Sequence, residues 1–265
     1  MEFGIKGKTA LVLGGGGGLG RAISIALAAE GANVAVADID SKAIAETEAA
    51  LAGQEGRAGS KTIGLVWDLA DLAAIDTHIS TIEHQLGPVD VLVNITGGPP
   101  PTPAVGQDPA LWSKHFQSMV LSIIAITDRV LPGMRARKWG RVITSTSSGV
   151  VAPIPNLAIS NALRRSLVGW SKTLAREVGK DGITANIVLP GRIATDRIKF
   201  LDEAKAKREG RTVEDVAQES TNTIPLGRYG KPEEYAAVVA FLASERAAYI
   251  TGSVIRVDGG MIASV

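Results

Sequence analysis

The chain has 265 residues, 45% of them hydrophobic, with 28 basic side chains against 27 acidic ones and a formal net charge of +1. A chain of this length can bury a large core as one domain; its near-neutral charge argues against nucleic acid as a partner, and it has no apolar stretch long enough to span a membrane. It contains no cysteine, which excludes disulfides, zinc–thiolate sites and thiolate nucleophiles, and His78, His84 and His115 lack metal-ligand spacing, so no metal site is expected.

Met1 to Lys8 carries no cleavable apolar segment, and the protein is expected in the cytoplasm. The first predicted strand, Thr9 to Leu13, runs into five successive glycines, Gly14 to Gly18, followed by Leu19, Gly20 and a helix over Leu19 to Glu30. A strand, a glycine loop and a helix opening on that loop make a diphosphate site, because backbone N–H groups and the positive helix end face the anion. A glycine run also marks ordinary tight turns. A second strand, Asn33 to Ala37, ends at Asp38, about 20 residues past the loop, where an acidic residue accepts hydrogen bonds from the adenosine ribose. Asp38 also reads as a strand-end or helix-capping residue. A carboxylate there repels a ribose 2′-phosphate, and no Arg or Lys lies within Gly14 to Gly20 to compensate, so NAD is expected over NADP.

Further strands are predicted at Thr62 to Trp67, Val89 to Val93, Arg141 to Thr144, Thr184 to Leu189 and Ser253 to Val257. Their lack of clean alternation, and the helix-length segments between them, point to a parallel sheet covered on both faces. Helices are predicted at Ser41 to Gln54, Asp71 to Leu86, Pro109 to Arg137, Leu157 to Gly179 and Pro232 to Ser244. The expected fold is α/β: one Rossmann-like, doubly wound domain over residues 1–265 with a seven-stranded parallel sheet. Residues 193–222 read as a substrate-side helical insertion, with the mixed-charge stretch Leu201 to Asp215 as a solvated helix. Gly97 to Pro103, with four prolines in seven residues, is a preset loop after the fourth strand. It either shapes a pocket at the carboxyl edge of the sheet or serves as a stiff connector.

Over essentially its whole length the chain resembles the classical short-chain dehydrogenase/reductase family. The resemblance rests on the glycine loop, Asp68 after the third strand, Val91-Leu92-Val93-Asn94 ending near Gly97, Pro190-Gly191 followed by Thr195, Pro225-Leu226-Gly227-Arg228 with Pro232-Glu233-Glu234, and the terminal Val257-Asp258-Gly259-Gly260. It implies a nicotinamide dinucleotide whose diphosphate lies on Gly14, Gly18 and Gly20, with Gly16, Gly17 and Leu19 in the same loop. Asp38 and Ile39 would flank the adenosine ribose, Asp68 and Leu69 hold the adenine, Asn94 and Gly97 lie beside the ribose and strand, and Pro190, Gly191, Ile193 and Thr195 border the nicotinamide. Leu13 replaces the family's usual threonine, and Ile95-Thr96 its Asn-Ala.

The family's chemistry uses an asparagine, a serine, a tyrosine and a lysine four residues after the tyrosine. The resemblance puts Met119 at the asparagine position, Ser147 at the serine (with Ser145, Thr146 and Ser148 as neighbours that shift the assignment), Ser160 at the tyrosine and Arg164 at the lysine. A serine hydroxyl is a far weaker acid than a tyrosine and shorter in reach, and an arginine keeps the positive charge but presents a planar fork that does not titrate. The chain's three tyrosines are Tyr229, Tyr235 and Tyr249; of these Tyr229 is the least improbable substitute.

Three readings remain, in this order: a Tyr-less NAD-dependent oxidoreductase in which Ser147, Ser160 and Arg164 handle the oxygen of a small-molecule carbonyl or alcohol; a dinucleotide-binding pseudoenzyme; and a halohydrin-dehalogenase-like enzyme, favoured by Arg164 and opposed by the intact glycine loop. Arg164, Arg165, Arg192 and Arg197 suggest either an acidic substrate or solvated surface arginines. By resemblance, the long helices over 109–137 and 157–179 pack against a neighbour in a homo-oligomer, a dimer or homotetramer, with Leu163, Leu167, Trp170 and Leu174 as a stripe at helical spacing that core packing would equally require.

Overall fold

A computed structural model describes residues 2–53 and 59–265. Seven parallel strands, β1 (Thr9–Leu13), β2 (Asn33–Asp38), β3 (Thr62–Val66), β4 (Val89–Asn94), β5 (Gly140–Ser145), β6 (Ile183–Pro190) and β7 (Val254–Val257), form one sheet in the order β3-β2-β1-β4-β5-β6-β7. Every residue of β1, β4 and β5 is buried, because helices cover both faces of the sheet. That is why their sequences run on as Val, Ile and Leu rather than alternating.

Alternate residues of β1 feed two cores. Ala10 and Val12 pack with Ile23 and Leu27 of α1 (Gly18–Ala29), Ile44 and Leu51 of α2 (Ser41–Ala52), and Tyr235 and Val239 further along the chain. Leu11 and Leu13 face the other way, onto Ile79 and Ile82 of α3 (Ile75–Gln85) and onto Ile126 and Val130. The strand order reverses between β1 and β4, and the crevice that opens there at the carboxyl ends is where such folds bind ligands. Asp40, rather than Asp38, caps α2, accepting from the backbone of Lys42 and Ala43.

Three predicted helices differ from expectation. The segment 109–137 is two helices, α4 (Pro109–Phe116) and α5 (Ser122–Arg137), joined by a wider π turn over Gln117–Leu121. That turn drives Met119 and Val120 into a small apolar cluster with Ile123 and Leu167. The segment 71–86 starts as a tight 3-10 turn over Leu72–Ala74, with Asp71 accepting from Ala73, before α3 proper. The single solvated helix expected at 201–215 is a pair, α7 (Asp196–Glu209) and α8 (Val213–Asn222), because Gly210 ends the first with a left-handed backbone and Thr212 caps the second. The helices over 157–179 and 232–244 are α6 (Ala158–Val178) and α9 (Pro232–Ala243). Met1 and Gln54, at the ends of two predicted segments, lie outside the described residues.

Candidate active site

A cleft of about 730 Å³ follows the carboxyl edge of β1, β4, β5 and β6 and is roofed by α7. One end is built from the glycine loop. Gly14 has φ +65, and a Cβ there would lie 2.8 Å from the Ile95 carbonyl oxygen; a Cβ on Gly20 would lie 1.9 Å from the Gly14 carbonyl oxygen. Side chains are thus sterically excluded where α1 meets the loop, whereas Gly17 borders open space in the cleft. The loop is braced from behind: Arg21 and Thr47 each donate to the Gly16 carbonyl at 2.9 Å, and the Gly16 N–H donates to Asp38 at 3.0 Å. Gly16 therefore supports the loop without lining the cleft, while Gly14, Gly17, Gly18, Leu19 and Gly20 line it.

Asp38 faces the same end. Its second oxygen accepts from the Asp40 N–H at 3.2 Å, so both carboxylate oxygens are held in place. Ile39 is 66% exposed and lines the cleft, as do Asp68 and Leu69; the Asp68 carboxylate accepts from Ala70 N–H at 2.9 Å and shapes that turn. Trp67, buried and stacked on His78 at 4.6 Å, also lines this end. Asn94 does not face the cleft: it is fully buried and donates to Thr144 at 3.1 Å, joining β4 to β5, and the lining is taken over by Ile95, Thr96 and Gly97.

Three observations fit this cleft to a dinucleotide. A side chain is sterically excluded at Gly14 and Gly20 of its loop, the end beside Asp38 offers apolar Ile39 and Leu69 next to a fixed carboxylate, and the hydroxyls of Thr96 and Thr146 are buried along its lining without a partner among the described residues. Buried polar groups without partners are rare in folded proteins and suit a site awaiting a ligand.

At the other end, Pro190, Gly191, Ile193 and Thr195 line the cleft opposite Ser147, Ser160 and Arg164. Ser147 accepts from the Gly149 N–H at 3.1 Å, which leaves its own O–H to donate. Ser160 and Arg164, one turn apart on α6, are both buried. The Arg164 Nη2 donates to the carbonyls of Thr96 (3.0 Å) and Gly97 (3.2 Å). Burial first, then the Arg197 charge, lowers its pKa to about 10, so it stays cationic at neutral pH. The proline loop lies across this end: the Thr102 N–H donates to Asn156 and the Ala158 N–H to Thr102, while Arg197 donates to the Pro99 carbonyl at 2.8 Å. The loop therefore shapes the pocket rather than merely connecting elements.

The tyrosines are placed differently from the sequence expectation. Tyr229 donates to Asp202 at 2.7 Å, away from the serines, and burial raises its pKa. Tyr249 is fully exposed. Tyr235 is buried directly behind Ser145. Leu163 and Trp170 of the predicted stripe are half-buried and Leu167 and Leu174 buried, packed on the protein's own cores. His115 and Ser118, three residues apart across the start of the π turn, line the cleft and were not singled out by sequence; Met119 behind them does not reach it. Among the described residues no cluster of acidic or histidine side chains could hold a metal ion, and no helix is long and apolar enough to cross a membrane.

Comparison with known proteins agrees with this geometry. Residues 15–262 match the family profile described as Enoyl-(Acyl carrier protein) reductase. Nodulation protein G of Azospirillum brasilense is 34% identical over 96% of this chain and 98% of its own. The 3-oxoacyl acyl-carrier-protein reductase of Escherichia coli K12 is 36% identical over 98% of this chain and 99% of its own. L-sorbose reductase from Gluconobacter frateurii, solved with NADPH and L-sorbose, superposes with a TM-score of 0.92 at 32% identity, covering all of both chains. A sheet that reverses beside a side-chain-free glycine loop, in a chain matched end to end by reductases, identifies a member of the short-chain dehydrogenase/reductase family of NAD(P)-dependent oxidoreductases.

Proposed function

We propose that the protein is an NAD-dependent oxidoreductase that interconverts a carbonyl and an alcohol in a site where Ser160 and Arg164 occupy the family's tyrosine and lysine positions. The observation that carries this reading is the cleft itself, which runs without a break from the glycine loop to Ser147, Ser160 and Arg164. Gly14, Gly17, Gly18 and Gly20 would hold the diphosphate, Asp38 the adenosine ribose and Pro190 to Thr195 the nicotinamide end. When bound, the nicotinamide supplies a hydride to a carbonyl carbon or removes one from an alcohol.

The chain's own residues handle the oxygen. Ser147 and Ser160 donate hydrogen bonds to it, and the fixed charge of Arg164 stabilises it as negative charge develops. Neither serine is a competent acid near neutral pH, so the proton comes from water. The missing acid–base group costs on the order of 10² to 10⁴ in rate. Asp38 favours NAD: its carboxylate would face a 2′-phosphate, and the neighbouring cation Arg21 is committed to Gly16 and Glu46. Residues 193–222 form the substrate side, with Ile198, Leu201 and Ala204 of α7 over the cleft.

As such an enzyme it would work in the cytoplasm, as a dimer or tetramer; Phe116, just before the π turn, and Leu121, its last residue, are apolar and exposed and support an interface along α4 and α5. The engagement of Tyr229 and Tyr235 in other hydrogen bonds favours a second reading, a protein that binds NAD without turning it over. NADH oxidation over a panel of ketones and aldehydes separates the two. Slow turnover that falls at least tenfold in Ser147→Ala supports the enzyme; NADH binding seen by fluorescence, with no oxidation by any carbonyl, supports the second reading.

A further inference from the structure

Two guanidinium groups close the substrate end of the cleft, and neither forms an ion pair among the described residues. Arg164 is 8% exposed, and Arg197, on the first turn of α7, is half-buried; both line the cleft. A guanidinium carries five N–H donors. Arg164 donates to the Thr96 and Gly97 carbonyls and Arg197 to the Pro99 carbonyl, all through Nη2, and the Arg197 guanidinium lies 5.5 Å from the Phe200 ring centre. Nε and Nη1 of both side chains are left without an acceptor among the described residues. The other basic side chains of the lining are balanced: Arg192 by Asp202, Lys205 by Glu219 at 2.8 Å and Arg208 by Glu209 at 2.9 Å. The two unbalanced cations converge on one stretch of the proline loop, Arg164 on Thr96 and Gly97 and Arg197 on Pro99.

A buried charge is costly unless it is paired, and two buried like charges more so. An anion seated between the free edges of the two forks would relieve both costs through charge-assisted hydrogen bonds, for which planar guanidinium and carboxylate geometry are matched. Ile154, Leu157, Ile198 and Leu201 give the lining an apolar side, the carboxylate of the exposed Asp196 also borders the cleft, and Ser160 stands one helical turn from Arg164. Building on the oxidoreductase reading, we infer that Arg164 and Arg197 form a carboxylate-binding subsite and that the substrate is an oxo or hydroxy acid, its reacting oxygen near Ser160 and its apolar body along α7. The competing source of the same anionic chemistry is the cofactor's diphosphate.

The test is calorimetric titration of octanoate, with octanamide as the neutral control, into protein saturated with NAD. Octanoate is expected to bind at least tenfold more tightly than octanamide; this preference should be lost in Arg197→Gln and kept within a few-fold in Arg197→Lys, which retains the charge if not the fork. Melting temperatures measured alongside show whether each variant is folded, and the Lys variant carries the test if the Gln variant is not. Equal binding of the two probes, or octanoate competing with NAD instead of adding to the NAD complex, overturns the subsite. Because binding needs no turnover, a protein that takes octanoate selectively but oxidises NADH with no carbonyl would retain the subsite and lose the oxidoreductase reading.

Discussion

The Tyr235 hydroxyl lies 2.7 Å from that of Ser145 and 3.1 Å from the Val188 carbonyl, fully buried beneath the floor of the cleft. A phenol has one proton to donate, and giving it to Val188 makes Ser145 the donor to the tyrosine oxygen. Since Ser145 lines the cleft, a tyrosine stands one hydroxyl behind the site of a protein that has none within it. Burial raises the pKa of Tyr235 far above the ordinary value, and the Ser145 hydrogen bond and the Arg164 charge offset only part of the rise. The group is therefore built to hold its proton. Tyr235→Phe is expected to lower stability by about 1–3 kcal/mol, the cost of leaving buried partners unsatisfied, and to leave kcat on an accepted carbonyl within a few-fold. A hundredfold loss of kcat in a folded variant would instead show that Tyr235 feeds a proton through Ser145.

If the weakness of the site is the lack of an acid, supplying one should repair it. Ser160 faces the cleft one turn from Arg164, so Ser160→Tyr combined with Arg164→Lys puts a phenol beside an ammonium that lowers its pKa. The double variant is expected to reduce the same carbonyl on the order of 10² to 10⁴ faster and to acquire a pH-dependent rate. Ser160→Tyr alone should gain less, because the guanidinium fork stays turned towards Thr96 and Gly97. Steady-state NADH oxidation from pH 6 to 10 reads both effects, and no gain in the folded double variant would show that proton supply is not what limits the site.

The sheet was legible because each strand is a short Val- and Ile-rich run, and the cofactor end because glycine spacing and the distance to Asp38 are local features of the chain. What the sequence concealed is created where distant segments meet. Asn94 looks like a cleft residue from its place at the end of β4, but the pairing of β4 with β5 turns it onto Thr144. The π turn carries no marker of its own, so the single helix predicted over Pro109 to Arg137 gave no sign that His115 and Ser118 would face the cleft while Met119 turned inward. Tyr235 reads as an ordinary residue in the first turn of α9, and only the packing of α9 under β5 and β6 brings it to Ser145. For the four arginines the sequence offered either an acidic substrate or solvated surface charge; Arg165 is exposed, whereas Arg164 and Arg197 are drawn in beneath the proline loop and α7.

Asp38 provides a test of cofactor choice that does not depend on finding the substrate. Its carboxylate is held by the Gly16 and Asp40 N–H groups, and on the proposed placement of the adenosine ribose beside it a 2′-phosphate would be repelled. Asp38→Asn is expected to weaken NADH binding roughly tenfold by removing a charged acceptor and to tighten NADPH binding by a similar factor. Fluorescence titration of both nucleotides against both proteins measures the four affinities. NADPH bound by the native protein as tightly as NADH would reject the proposed preference.

The clasp between α7 and α8 sets how firmly the roof of the cleft is held. Glu219 of α8 accepts from Lys205 of α7 at 2.8 Å and pairs with Arg211 in the turn between the helices. These cations, Lys205 foremost, hold its carboxyl at a pKa of about 2, below the ordinary 4.5. A depressed folded-state pKa means that the contribution is complete above about pH 4.5 and is lost as pH falls towards 2. The pair is exposed, so its effect should be local rather than global. Glu219→Gln is expected to speed amide exchange across residues 196–222 at neutral pH, to shift the melting temperature very little, and to remove the acid-dependent loosening of that segment in the same pH window. Hydrogen exchange followed by mass spectrometry reads the first and third and a thermal melt the second; identical exchange in the two proteins would mean that the apolar face of α7, rather than the clasp, keeps the roof in place.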